Sequence, residues 1–232
     1  MSTIIMTNIE NQREKPCTYF SIPDECPICH KSIQPIIQNA YAYDTSYIIN
    51  NKRHSQVVFQ CPNHNCKKLF IAEYESFGDP ERELHFENVF PNRPQNKEFS
   101  DQINAISSNF SVIYNQAFFA EQYELNQICG TGYRKALEFL VKDFAISMTD
   151  SEPDKERIKK KFLANVINEH FTDPNIKKVA SRATWLGNDE THYLKIWEKQ
   201  DLNDLKILID LTIHWIEMNK LTSLYEEQMP DQ

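Results

Sequence analysis

Two cysteine pairs carry the most legible chemistry in this chain: Cys26-Pro27-Ile28-Cys29 and Cys61-Pro62-Asn63-His64-Asn65-Cys66. Two short loops that each offer two thiolates supply the four ligands of a tetrahedral zinc site. The 31 residues between the pairs are rich in β-branched and aromatic side chains, so the loops would be carried by strands. Four thiolates leave no open position for water, which makes the expected ion structural rather than catalytic. His64 is the alternative ligand to Cys66; Cys26, Cys29, Cys61 and Cys66 are the preferred set, with His64 exposed on its knuckle. Cations follow each closing cysteine (Lys31, and Lys67 with Lys68) and offset a cluster of thiolates. Cys17 is read as a free thiol or a spare ligand, and Cys129 as a small hydrophobe.

Three further groups of residues could act on a partner or substrate. Cys129-Gly130-Thr131-Gly132-Tyr133-Arg134-Lys135-Ala136-Leu137-Glu138 puts two glycines inside a helical pattern. Each costs about 1 kcal/mol against alanine, so a close helix crossing is expected there. It lacks the ending and preceding strand of a phosphate loop. Arg134 and Glu138, four apart, can pair on one face. In Arg182-Ala183-Thr184-Trp185-Leu186-Gly187-Asn188-Asp189-Glu190-Thr191-His192, a helical turn opening at Gly187 would put Asn188 and His192 on one face. Asp189 could then orient the imidazole. The bland alternative is a hydrogen-bonded histidine at a helix end. Lys155 to Lys161 carries five cations against Glu156, with Lys159 and Lys160 as candidate binding residues; the bland alternative is a solvated helix face.

The elements that must position these groups fall into two sets. Residues 19–94 are expected to form a β-rich, zinc-ribbon-like domain, with strands at Tyr41-Ala42-Tyr43, Ser46 to Ile49, Gln56 to Gln60, Lys68 to Tyr74 and Leu84 to Phe90. Turns are expected at Asn50-Asn51-Lys52 and Gly78-Asp79-Pro80. Pro91-Asn92-Arg93-Pro94 marks a change in composition, and residues 95–222 follow the helical period. Five helices are predicted: Ser100 or Asp101 to Tyr123, with a break possible at its serines; Asn126 to Ala145; one opening at Pro153 or Asp154, with Ile158, Phe162, Val166 and Ile167 facing the core; Asp173-Pro174 to Leu186; and Asp201 to Leu221. The expected class is therefore α+β, with a helical bundle behind a metal-held β module. Residues 1–18 and 223–232 are expected to be loosely ordered.

Composition narrows the function. The 232 residues carry a net charge of −8, which excludes a general basic surface for nucleic acid. The local cations Lys31, Lys52, Arg53, Lys67 and Lys68 leave binding through the β module as a hypothesis. No apolar run approaches the length of a membrane span, and Met1 to Thr18 lacks a signal-peptide core. Cysteines at metal spacing suit a reducing compartment, so a cytoplasmic protein is expected.

The cysteine pairs, the strand into Val89-Phe90-Pro91, the Tyr133-Arg134-Lys135-Ala136-Leu137-Glu138 segment and Gly187-Asn188-x-x-x-His192 occur in that order. Together they resemble the bacterial domain-of-unknown-function 4145 family, over most of residues 26–220. That resemblance implies a HEPN-like helical bundle, a homodimer, and a link to restriction, toxin or anti-phage systems. Many HEPN domains are metal-independent ribonucleases that pair an arginine with a histidine four to six residues on. Here Thr184 stands where that arginine is expected, and Arg182 is separated from His192 by nine residues. The leading expectation is thus a zinc-binding accessory protein, catalytically degenerate, that binds a protein partner in phage defence or counter-defence. The alternatives are an RNA endonuclease using His192, Asn188 and Arg182 (or Arg134), and a nucleic-acid sensor.

Overall fold

The computed structural model describes residues 2–9, 13–19, 21–43, 52–77 and 84–229. The chain divides into two compact units, Met1–Gln95 and Asn96–Gln232, each with its own hydrophobic core. The class is α+β, with six strands followed by seven helices among the described residues.

The first unit is one sheet in the order β2-β1-β3-β4-β5-β6. Its strands are β1 (Ser2–Asn8), β2 (Glu14–Tyr19), β3 (Ile36–Tyr43), β4 (Lys52–Gln60), β5 (Leu69–Phe77) and β6 (His85–Phe90). Neighbours are antiparallel except β1 and β3. Alternation sets the buried face: Ser55, Val57 and Phe59 of β4 lie opposite Tyr74, Ala72 and Phe70 of β5, and all six are buried. The Phe59 and Phe70 rings stack with centroids 5.6 Å apart. A slip of one residue would turn all six to the outer face, so burial pins the register. The same two-residue period carries on to Cys61, which is fully buried.

Residues 1–18, expected to be loosely ordered, instead contain β1 and β2, anchored by buried Ile4 and Met6. Their polar residues hid a strand whose apolar positions alternate. The expected strand Ser46 to Ile49 and the turns at Asn50-Asn51 and Gly78-Asp79-Pro80 lie outside the described residues. Lys52, expected in a turn, opens β4.

The second unit comprises α1 (Asp101–Ile106), α2 (Ser108–Gln122), α3 (Asn126–Ile146), α4 (Glu152–Lys160), α5 (Leu163–His170), α6 (Pro174–Asp189) and α7 (Leu202–Gln228). Side-chain caps start most of them. Ser100 accepts from the Ile103 amide, Ser151 from Asp154, Asp173 from Asn175 and Ile176, and Asp201 closes a capping box with Asp204. No helix among the described residues is long and apolar enough to cross a membrane.

Seven helices replace the five expected, for local reasons. Ser107 ends α1 and, through its hydroxyl, caps α2 at Phe110. Lys161 and Phe162 are extended, which splits the third expected helix into α4 and α5. Phe162, expected in the core, is 84% exposed, and Leu163 is buried instead because the break rephases the chain. At the other end, the expected tail at 223 is helical as far as Gln228.

Aromatic rings dominate this core. Phe99, Phe110, Tyr114 and Tyr133 meet edge to face or tilted, with centroids 4.8–5.6 Å apart. Tyr133 donates its hydroxyl hydrogen to Glu121, which also receives Lys206 at 2.6 Å, tying α2, α3 and α7 together. Of the two α3 glycines expected at a close crossing, Gly132 lies against helix backbone: an added Cβ there would sit 2.8 Å from the Ala117 Cβ and 3.3 Å from its Cα. Helix propensity alone would make Gly132→Ala stabilising by about 1 kcal/mol. The fixed backbone of α2 reverses the sign, and the variant is expected to lose about 1–3 kcal/mol. Urea denaturation followed by helical circular dichroism decides between the two signs.

Candidate metal centre and helical corner

The two cysteine loops are built alike. The Cys26 N–H donates to the Lys31 carbonyl, and the Cys61 N–H donates to the Lys68 carbonyl, both at 3.0 Å. In each case the acceptor lies two residues beyond the closing cysteine. The residue between, His30 or Lys67, has φ of 53°, in the left-handed region. Side chains other than glycine seldom occupy that region unless their surroundings hold them there. The turn aims the next amide back at the closing sulfur: the Lys31 N–H donates to Cys29, and the Lys68 N–H donates to Cys66.

The loops bring Cys26, Cys29, Cys61 and Cys66 together with all four Sγ atoms within 4.8 Å of one another. Cys26 Sγ lies 3.9 Å from Cys66 Sγ, and Cys29 Sγ 3.8 Å from Cys61 Sγ. Disulfide sulfurs lie about 2.05 Å apart, so these are four free thiols whose lone pairs converge. Such a group could hold a metal ion. Burial pushes the Cys61 thiol up to about 12, and burial raises Cys29, whereas the Lys68 amide lowers Cys66. Thiols this close resist joint ionisation unless a cation sits among them. His64 is exposed and outside the cluster. Cys17 is in β2, opposite Ile4, and Cys129 is fully buried in the helical core.

In the helical unit, Arg134 of α3 crosses onto α6. Its Nε donates to Asn188 Oδ1 at 3.0 Å, and its Nη1 pairs with Glu138 at 3.2 Å. Gly187 makes room for it: an added Cβ would come within 2.5 Å of the Arg134 Cδ. Glu138 also meets Lys142 at 2.7 Å. Burial raises the Glu138 carboxyl, but Lys142 and Arg134 outweigh that, and the net effect holds it below the usual carboxylate range.

The trio expected to share a site is divided. Arg182 lines a cavity of about 230 Å³ with Trp185, Trp197, Gln200 and Asp204. Asn188 and His192 line a separate, open depression of about 520 Å³ with Asp189 and Ile196. The parallel Trp185 and Trp197 rings, 6.0 Å apart, border both and stand between them. Helix α6 passes through Gly187 without opening a new turn, and Asn188 faces Arg134 rather than pairing with His192. His192 lies beyond the helix and is exposed. Asp189 does not orient the imidazole: its Oδ2 accepts the Ile196 and Trp197 amides at 2.8 and 2.7 Å, pinning the segment that carries Trp197. Thr184 is buried and donates its hydroxyl hydrogen to the Ala180 carbonyl at 2.9 Å. The indole pair was missed in the sequence; the signal was two of only three tryptophans, twelve residues apart.

The Lys155 to Lys161 stretch is largely neutralised. Lys155 pairs with Glu152, Arg157 with Asp154, Lys159 with Glu156, and Lys161 with Glu169, while Lys160 is exposed. Pairs of this kind on an open helix surface contribute little stability.

Because Glu138 holds its proton less tightly in the folded chain, its stabilising effect is complete above the ordinary carboxylate range and is lost as pH falls through its lowered folded value. Glu138→Gln is therefore expected to shrink the acid-side decline in urea midpoint; an unchanged slope would mean that the pair contributes nothing. No family model, curated protein or solved structure matches this chain.

Proposed function

We propose that the four cysteines hold a structural zinc ion and that the chain works as a non-catalytic interaction protein. The observation that carries the metal reading is the sulfur geometry. A tetrahedron with metal–sulfur bonds of about 2.3 Å has edges of about 3.8 Å; two of the six sulfur–sulfur distances are 3.8 and 3.9 Å, and all lie within 4.8 Å. Four thiolates complete the coordination shell, so the ion clamps two loops and activates no water. Amide donation to Cys29 and Cys66 spreads the negative charge of the cluster.

The division of Arg182 from Asn188 and His192 supports a catalytically degenerate helical unit. Phosphate transesterification needs a proton-transfer group and a cation converging within hydrogen-bond reach of one phosphate. Arg134 is engaged by Asn188 and Glu138, and Thr184 faces the core. The resemblance to the domain-of-unknown-function 4145 family and its HEPN-like bundle is the sole support for a place in bacterial phage defence or counter-defence. The ion pairs along Lys155 to Lys161 count against the nucleic-acid-sensor alternative.

Two measurements test this. Protein purified without added metal should contain one zinc per chain, and cobalt exchanged into it should show the absorption of a tetrahedral thiolate site. Cys61→Ser should lose the ion and unfold the sheet unit while helical circular dichroism persists; a metal-free wild-type chain with an intact sheet would remove the clamp. For the degenerate reading, single-stranded RNA and tRNA incubated with the protein in chelator should stay intact. Cleavage abolished by His192→Ala would instead establish the ribonuclease alternative.

A further inference from the structure

We propose that the cavity beside the Trp185 and Trp197 indoles binds a free purine mononucleotide, with its base stacked on an indole face and its phosphate held by Arg182. The cavity, of about 230 Å³, combines the two indoles with Arg182, Gln200 and Asp204, and Leu186 and Leu208 add apolar wall. Apolar walls with a few polar groups are the usual make-up of a small-molecule site. Sites that enclose a drug-sized ligand run to about 300–1,000 Å³. This smaller one takes a single flat group and leaves the rest of the ligand outside.

The indoles select the shape of that group. Their rings are parallel to within 5°, with centroids 6.0 Å apart. A ring inserted between them would need two gaps of about 3.5 Å each, so the ligand lies on the pair and not inside it. An alkylammonium is thicker than a ring and fits there still less. The two indoles are 44% and 40% exposed, and their parallel faces suit a flat bicyclic ring.

The polar groups select its chemistry. Arg182 lies over the Trp185 ring, 5.9 Å from its centroid, and donates to the Lys178 carbonyl at 3.1 Å. It has no carboxylate partner among the described residues. A guanidinium so placed offers paired N–H donors to a phosphate and repels a cationic ligand. Asp204 accepts the Asp201 amide through Oδ2 at 3.0 Å. Its Oδ1 and the Gln200 side-chain amide are left to meet donors and acceptors on the edge of a base.

The way Trp197 is held is an independent observation. All ten residues from 191 to 200 are exposed. Even so, the buried Asp189 carboxylate, 6% exposed, accepts both the Ile196 and the Trp197 amides. A carboxylate is costly to bury unless it is hydrogen-bonded, and these bonds fix a segment that has no packing of its own. What they position is an indole at the edge of the cavity. A net charge of −8 disfavours a polyanionic strand, so the free mononucleotide is the ligand. The site goes beyond the interaction reading above and needs neither the metal nor a protein partner.

Isothermal titration calorimetry of the full chain with guanosine monophosphate and adenosine monophosphate tests the site. Saturable binding of at least one is expected below millimolar concentration. Trp197→Ala should weaken it about tenfold through lost stacking. Arg182→Gln should weaken it about tenfold as well, while leaving binding of the matching nucleoside unchanged. Both side chains are exposed, so helical circular dichroism should not change. No binding at millimolar nucleotide, or full affinity in either variant, would overturn the site. A short single-stranded RNA that binds more tightly than the mononucleotide, with an affinity that falls steeply with salt, would overturn the free ligand in favour of a strand. Tetramethylammonium that competes with the nucleotide would overturn the stacked base in favour of a cation. None of these readouts involves zinc or a partner, so this site and the function proposed above fail separately.

Discussion

Four cysteine sulfurs within 4.8 Å of one another bring two loops of the first unit to a single point. Two of them, Cys26 and Cys61, are fully buried and belong to the same apolar core as the sheet's inner face. Each loop reaches this arrangement by the same device, a residue in the left-handed region followed by an amide aimed at sulfur. A left-handed backbone at His30 and Lys67 is uphill by itself. It persists because the paired amides and the converging thiols hold it on both sides.

The second unit relies on aromatic packing instead of a clamp. Its rings meet edge to face across α2 and α3, and Trp215 of α7 meets Phe144 of α3 edge to face and stacks on Phe171 at the end of α5. Against this core, α3 presents its glycines to α2 and to Glu190, and α6 presents Gly187 to Arg134. The polar corner that results is an internal crosslink. Its arginine, Arg134, is held by Asn188 and Glu138, while Arg182, the cation nearest in sequence to Asn188 and His192, lines a different cavity.

Several of these features were legible before any coordinates. The cysteine pairs, the caps at Ser100, Asp173 and Asp201, and the apolar stripes of α3 and α7 follow from residue type and spacing. The break at Ser107 was foreshadowed by its serines. The break at Lys161 and Phe162 was not, because a phenylalanine at helical spacing carries no sign that the chain will turn away and expose it. Strands β1 and β2 were masked by a polar segment whose burial depends on pairing with β3, a partner distant in sequence.

Residue chemistry by itself determined which side chains could bind a metal, where helices could begin, and which class of architecture could bury the apolar residues. Those outcomes depend on local backbone preference and on periodicity, both written along the chain. Only the tertiary structure decided that Asn188 faces Arg134, that Asp189 holds the Trp197 segment, and that the two indoles part Arg182 from His192. Each of these is set by how α3, α6 and the segment after it cross, and a crossing is fixed by packing between residues far apart in sequence.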